Sequence, residues 1–563
     1  MLALMTELAT RAGVPVATVV RAKKVEFGDI QINAAMQLAK AEKKPPREIA
    51  QRIADAVKDH PAVAKAEIAG PGFVNIFVRD GWLAENAGGA LAVRDVAGGQ
   101  RVVIDYSSPN VAKPLHIAHI RSIVIGDAIK RALKAVGYEV IADNHVGDWG
   151  TPFGKLIVAY RKWVDDKAFA DDPVDELLRL YVKFQKESET KEDDDEGGSP
   201  LLQEARAELV KLQQGDPENR ALWKRFVDVS MSENDRVYRR LGVSHDVTLG
   251  ESFYDDRLAG TVKRLVDEHI AEESQGALVV FFKKPDGTDE MPPAIVRKSD
   301  GGFNYTTTDV AGTLYRVERW NPARIIILTD ERQQLYFRQF FAVARRLGVT
   351  CSLEHVWFGL MRLPEGTIKT RDGNVIHLEA LLDESEKRAF DVATQANAEL
   401  PEAERREIAR VVGIGAVKYN DLSRDRQSLV QFTWDKALAL TGNSGPYLQY
   451  AYARIQSILR KAKAEGGGEP GAIGALEPAE RALLTKLYDY GAAVEAVARE
   501  TRPHLLCDYL YDVAGAFSTF YNEHPVLKAE PAVRASRLQL CALTARALRD
   551  GLGLLGIDVL DRM

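Results

Sequence analysis

Cysteine is scarce in this 563-residue chain, which has three: Cys351, Cys507 and Cys541. Scattered so widely, they form neither a framework of bridges nor a Cys-x-x-Cys metal knot, which points to a reducing, cytoplasmic compartment. Long apolar runs are missing too. None approaches the roughly 20 residues that cross a bilayer. The opening MLALMTELATRAGVPVATVVRAKK has no basic segment followed by an apolar block, so a secretory signal is not expected. A basic excess is also lacking: 75 Lys and Arg stand against 81 Asp and Glu, a net charge of −6. That is not the bulk signature of a nucleic-acid binder, yet phosphate affinity depends on local basic faces that net charge averages away. Strict nucleotide-binding glycine motifs are absent. No G-x-G-x-x-G follows an expected strand, and GTPFGKL is one residue short of a P-loop, with Leu156 where Ser or Thr would hold magnesium. What remains is an ordinary globular composition, 46% hydrophobic and 28% charged. Its length suits about three or four domains, or fewer large ones.

Residues 1–93 read as a small α+β module. PREIAQRIADAV opens on Pro46 and sets Ile49, Ile53 and Val57 on one helical stripe. KAEIAGPGFVNIFV gives short strands around a Gly-Pro-Gly turn, and AGGALAVRDVAGGQ works as a linker. From residue 100 to 434 the pattern alternates. RVVIDY is β-branched and apolar, as suits a strand buried on both faces. A helix from about His119 to near Gly137 follows, then a second strand and glycine-rich turn in YEVIADNHVGDWG. RIIILTDERQQLYFRQFFAVARRLGV repeats strand, polar turn and amphipathic helix. These units begin a doubly wound parallel α/β sheet. KESETKEDDDEGGSP, near 186–200, has no apolar period and is expected as a surface loop. From residue 435 to 563 the texture is an all-helical bundle. There SGPYLQYAYARIQSILRKAKA puts Pro446 in a first turn and Leu448, Tyr452, Ile455 and Leu459 on a buried stripe.

Two histidines, His116 and His119, stand three apart where loop becomes helix, with Lys113 just before them. A helix N-terminus exposes unpaired N–H groups and partial positive charge, so it attracts phosphate. Imidazoles there can donate to phosphate oxygens that gain charge in a transition state. A zinc site would need further ligands, and no Cys or carboxylate pair lies nearby. Two ordinary core histidines remain the plain alternative.

SSPNVAKPLHIAH resembles the His-x-Gly-His signature of class I aminoacyl-tRNA synthetases. Its flanks, with NHVGDWGTPFGKL, VEFGDIQIN, AGPGFVNIF, NYTTTDVA and TGNSGPYLQYAYARI, resemble the arginyl-tRNA synthetase family in particular, across the whole chain and in the right order. The resemblance implies a Rossmann-like catalytic domain and an enzyme that joins L-arginine to its cognate tRNA through an arginyl-adenylate. ATP is spent with Mg2+, and members generally need bound tRNA for the first step. No protein-bound zinc is expected, and a monomer is. His116 and His119 would hold the ATP phosphates. Ala118 stands where the family has glycine against the adenine. IKTRDGN, with Lys369 and Arg371, is the counterpart of the Lys-Met-Ser-Lys-Ser loop, and Lys113 would compensate for its degeneracy. The family commonly has Gln where this chain has Pro152, and a His in the helix after ILTDERQQ where this chain has Tyr336.

A guanidinium needs planar acceptors. Tyr305 and Asp309 lie four apart, on one face if the segment is helical. On the residues alone, a core aromatic and a helix-start charge explain them more simply; the resemblance matches both to side-chain recognition. It also matches Asp105 and Asn110, with Gln333, to the substrate's α-ammonium. Ser107 either hydrogen-bonds the amino acid or shapes the turn. The division of the two positive ends between Asp105 and Asp309 stays open. By the same resemblance the N-terminal module takes the tRNA elbow and the C-terminal bundle the anticodon. Arg454, Arg460, Lys461 and Lys463 would form a phosphate track, while Tyr447, Tyr450 and Tyr452 are either stacking platforms or core. Two rivals stand beside this reading. One is activation of another amino acid, such as glutamate or cysteine; the Tyr305 and Asp309 pair argues against glutamate, because Asp309 would repel its carboxylate. A non-catalytic RNA-binding relative is kept alive by Ala118.

Overall fold

The computed structural model describes residues 1–111, 113–188, 199–362, 377–466 and 468–563. Lys369 and Arg371, and most of the expected 186–200 loop, lie outside the described residues. The chain divides into two compact units: Met1–Asp95 with Ala439–Met563, and Val96–Leu438.

The first unit joins the two ends of the chain. Its N-terminal part sets helices against a four-stranded antiparallel sheet, ordered Val19–Arg21, Ile30–Ile32, Phe73–Val78, Val63–Ala69. The Pro46–Val57 helix buries Ile49, Ile53 and Val57, as their spacing predicts. The C-terminal part carries helices Gly445–Ala464, Pro478–Leu487, Tyr490–Glu500, His504–Glu523 and Pro531–Leu554. Two forked arginines tie the parts together. Arg94 donates to both oxygens of Glu495 at 2.8 and 2.6 Å. Arg481 donates to both oxygens of Asp29 at 3.0 and 2.8 Å. Gly491 packs flush against the linker; a Cβ there would meet the Ala92 carbonyl oxygen at 2.2 Å.

The second unit is built on four parallel strands in the order Ser352–Phe358, Arg324–Asp330, Arg101–Asp105, Glu139–Asp143. Val102, Val103 and Ile104 are fully buried, as a strand covered on both faces requires. The chain runs from its first strand to a neighbour on one side, then returns to add the third on the other. The crevice outside the carboxyl ends of Arg101–Asp105 and Arg324–Asp330 is therefore a topological switch point, where open α/β sheets bind ligands. Helix Ile117–Ala135 packs close enough that a Cβ on Gly126 would sit 2.3 Å from the Tyr106 ring. Among the described residues, five helices between Thr151 and Leu241 form an insertion. A three-stranded antiparallel sheet, Glu272–Ser274, Ala277–Lys283 and Asp289–Arg297, precedes helix Tyr305–Trp320.

Candidate active site

At the head of helix Ile117–Ala135 the two histidines cap each other. The Ala118 N–H donates to His116 Nδ1 at 3.2 Å, and the His116 N–H donates to His119 Nδ1 at 3.0 Å. The rings lie 4.0 Å apart, tilted by 50°. Both Nδ1 atoms thus act as acceptors, which assigns the remaining proton of each neutral ring to Nε2. Burial pulls His119 down to about 4. Burial, helped by the charges of His377 and Lys113, pulls His116 down as well. Two neutral imidazoles, each with an Nε2–H donor, therefore stand at a helix N-terminus beside the switch point. Ala118 is exposed at the first turn of the helix. Lys113 rests its Nζ 4.5 Å over the Tyr181 ring. Beyond the stretch that holds Lys369 and Arg371, the chain returns directly to this motif. His377 bridges to His116, and the Leu378 N–H donates to the Leu115 carbonyl at 2.8 Å.

The SSPN loop is held under strain. Ser107 and Ser108 both have positive φ, 72° and 44°, conformations that non-glycine residues adopt at a cost. Local bonds stabilise them. Ser107 Oγ lies 3.0 Å from His245 Nε2, and the Ser107 N–H donates to Ser122 Oγ at 2.9 Å. The Ser108 N–H donates to Asn144 Oδ1 at 3.1 Å. Asn110 bridges to Gly147, where a Cβ would stand 2.3 Å from the Asn110 side-chain oxygen. A side chain there would have to push the Asn110 amide aside.

Asp105 is not an open carboxylate. It is 3% exposed, and its oxygens accept from Arg316 at 2.6 Å and Ser108 Oγ at 2.6 Å. Asp143, its direct partner in the sheet register, accepts from the same guanidinium at 2.7 and 3.1 Å. Arg316 is buried between the two. Counted in its ionised form, this cluster holds one positive and two negative charges at the end of the sheet; burial raises the Asp143 carboxyl and Arg316 pulls it back.

A second acidic group lies on helix Tyr305–Trp320. Asp309 Oδ2 accepts a hydrogen bond from the Tyr336 hydroxyl. Its Oδ1 lies 3.7 Å from His145 Nε2, while His145 Nδ1 lies 2.8 Å from the Leu249 carbonyl. Burial raises the Asp309 carboxyl, with His145 and Tyr336 pulling it back. Glu251 belongs to the same neighbourhood. Burial pushes it up to about 7; His145 opposes that shift, and Asp309 and Asp148 add to it. Tyr305 exposes 59% of its surface and meets the Tyr336 ring edge-on at 4.8 Å. It is not the core aromatic that the simpler reading expects. Gln333 is exposed at the end of a short 3-10 turn after strand Arg324–Asp330.

Asp105, Ser107, Asn110, His116 and His119 thus follow one strand end, and Asp309 is coupled electrostatically to Asp105. Sequence reasoning misses Arg316, Asp143, His145 and Glu251. One signal is present: VVID and VIAD both end in aspartate, and two buried carboxylates in adjacent strands need a cation.

Comparison with known proteins agrees in all three parts of the chain. Residues 88–434 match the family described as tRNA synthetases class I (R), catalytic domain. Residues 448–563 match the DALR anticodon binding domain, and residues 5–78 the arginyl tRNA synthetase N terminal domain. An arginine–tRNA ligase of Fusobacterium nucleatum is 44% identical over 95% of this chain and 94% of its own length. One from Cellvibrio japonicus is 43% identical over 100% and 98%. The arginyl-tRNA synthetase of Thermus thermophilus superposes with a TM-score of 0.81 at 27% identity, over 99% of this chain and 98% of that one. With family models matching its catalytic and both flanking parts, and relatives 43–44% identical along its length, the chain belongs to the class I arginyl-tRNA synthetase family.

Proposed function

We propose that this protein joins L-arginine to its cognate tRNA in two steps at the crevice beside His116. The arginine carboxylate attacks the α-phosphorus of ATP, forming arginyl-adenylate and releasing pyrophosphate. A hydroxyl of the terminal tRNA ribose then attacks the activated carbonyl, and AMP leaves. The observation that carries this reading is the pair of Nε2–H donors fixed by reciprocal capping. Neutral donors already in place strengthen as the phosphate oxygens gain charge, without needing to reorganise. Lys113 adds a cation on the loop side, and Lys369 and Arg371 are assigned the same task. Mg2+ enters as part of the nucleotide substrate.

The guanidinium belongs against Asp309 and Glu251, with Tyr305 beside it. Burial raises both carboxyls, and a cationic partner beside them favours their charged form. The α-ammonium belongs against Asn110, Ser107 and Gln333, with Asp105 behind them supplying negative charge that Arg316 does not fully cancel. In the other unit, Tyr450 is 46% and Tyr511 37% exposed, Tyr447 contacts Tyr511 at 5.8 Å, and Arg454 covers Tyr521 at 4.7 Å. Aromatic faces with a cation suit the splayed bases of an anticodon loop. Tyr452 is core, as its hydrogen bond to Asp561 and 4% exposure require. The N-terminal part is assigned to the tRNA elbow. The protein works as a cytoplasmic monomer.

The deciding experiment is arginine-dependent exchange of labelled pyrophosphate into ATP, with and without tRNA, and with other amino acids as controls. Exchange confined to arginine supports the reading. Silence under every condition, with tRNA still bound, overturns it in favour of a non-catalytic RNA-binding relative.

A further inference from the structure

We propose that Tyr336 is a specificity-determining positioning residue, whose hydroxyl fixes the plane of the Asp309 carboxylate so that it accepts a planar guanidinium. The proposal rests on the assignment of Asp309 to the arginine side chain. An aspartate's second torsion is soft and twofold, so nothing in its own covalent structure chooses the carboxylate plane. Here a choice is imposed. Tyr336 Oη donates to Asp309 Oδ2, and the phenol itself cannot swing. Its ring meets Tyr305 edge-on at 4.8 Å and Phe337 at 5.4 Å, and stacks on Phe340 at 6.1 Å with an interplanar angle of 15°. The tyrosine therefore reaches from the apolar core behind helix Gln334–Arg346 to a single carboxylate oxygen, and one ring edge also supports Tyr305.

The chemical consequence is selective. A guanidinium binds a carboxylate through two parallel N–H bonds, which demand one plane; an ammonium is a point charge and demands none. Fixing the plane favours arginine over lysine without adding any charge. The same hydrogen bond helps keep Asp309 ionised against its burial. The charged and titratable groups facing Asp309 are His145, Arg316, Asp105, Glu251 and Tyr336 itself. The family resemblance puts a histidine commonly at this position, where this chain has Tyr336.

The test is steady-state aminoacylation by wild type, Tyr336→Phe, Asp309→Asn and the double variant, at saturating ATP and tRNA, with arginine varied from pH 5.5 to 8.5. Phenylalanine keeps every ring contact. Tyr336→Phe should raise the arginine KM on the order of tenfold, with kcat within about threefold, as expected for a lost hydrogen bond to a charged group. The acid limb of kcat/KM for arginine should move to higher pH, which a merely structural loss would not do. Discrimination against lysine should fall, and the double variant should be little worse than Asp309→Asn. If Asp309→Asn raises KM while Tyr336→Phe leaves KM and pH profile unmoved, or if the two effects simply add, the positioning role is overturned and the guanidinium assignment stands. If Asp309→Asn itself leaves KM unmoved, the assignment fails and the proposal with it. A lowered melting midpoint in Tyr336→Phe is read through the pH profile: an unshifted acid limb refutes the proposal.

Discussion

His119 offers the sharpest test of the capped pair, because its two ring nitrogens have separable tasks. Nδ1 accepts the His116 backbone N–H at 3.0 Å; Nε2 is the donor assigned to phosphate. His119→Ala removes both. Loss of the cap costs about 1 kcal/mol of helix stability, a small share of a typical domain's roughly 5–15 kcal/mol. Loss of a preorganised transition-state donor costs about 2.7–4 kcal/mol, or about a hundred- to a thousandfold in rate. His119→Asn separates the terms, since its side-chain oxygen can cap the helix while the Nε2 position is vacated. The assay is pyrophosphate exchange at saturating arginine, with arginine KM and melting midpoint measured beside it. His119→Ala should melt slightly early and His119→Asn near wild type, while both lose at least about a hundredfold in exchange rate and keep arginine KM within about threefold. A His119→Asn variant with near-normal exchange would refute the assignment of Nε2. Because His119 stays neutral down to about pH 4, its titration should impose no acid limb on exchange between pH 6 and 8.

Other outcomes follow from the same geometry. Asp309→Asn should lower selection of arginine over lysine by about tenfold or more, measured as the ratio of kcat/KM values; unchanged selection would move the guanidinium elsewhere. Glu251→Gln should trade affinity for stability. The folded-state value, about 7, lies above the ordinary 4.5, so wild type loses stability as pH rises from 4.5 to 7 and the glutamine variant does not. Melting at pH 8 should therefore favour Glu251→Gln more than melting at pH 5 does, while its arginine KM rises. Gly126→Ala should destabilise by about 1–3 kcal/mol in urea titration, because its methyl group would displace the Tyr106 ring from 2.3 Å.

Periodicity locates the elements well wherever one face decides them. The Pro46–Val57 helix and strand Arg101–Asp105 fall where their apolar spacing puts them. The helix after the SSPN loop starts at Ile117, earlier than the expected His119, because its cap is a histidine pair and not one of the short polar residues that mark helix starts. Within Gly445–Ala464 the buried position is Ile458 and not Leu459, a shift that one turn of 3.6 residues leaves open. The histidines and the loop before them are legible because they are contiguous. Arg316 and Glu251 are not, since only parallel register and an inserted turn bring them to the strand ends. Asp105 shows the opposite case. The sequence marks it as a polar residue at a strand end, but only the folded chain reveals that Arg316 already holds it.

That buried guanidinium constrains any attempt to alter what the pocket accepts. Arg316 is a tethered copy of the substrate's own head group, shared between Asp105 and Asp143, with one negative charge left over when both are ionised. An engineer who neutralises Asp309 to admit citrulline or an acidic side chain still faces that surplus, in a space where water does little to screen it. Neutralising Asp143 as well would bring the cluster to zero net charge, while Asp105 would keep its partner. On the proposed assignment of Asp309, selectivity for a cation is written twice in this fold: once on helix Tyr305–Trp320, and again in the sheet behind it, where exchanges at Asp309 do not reach.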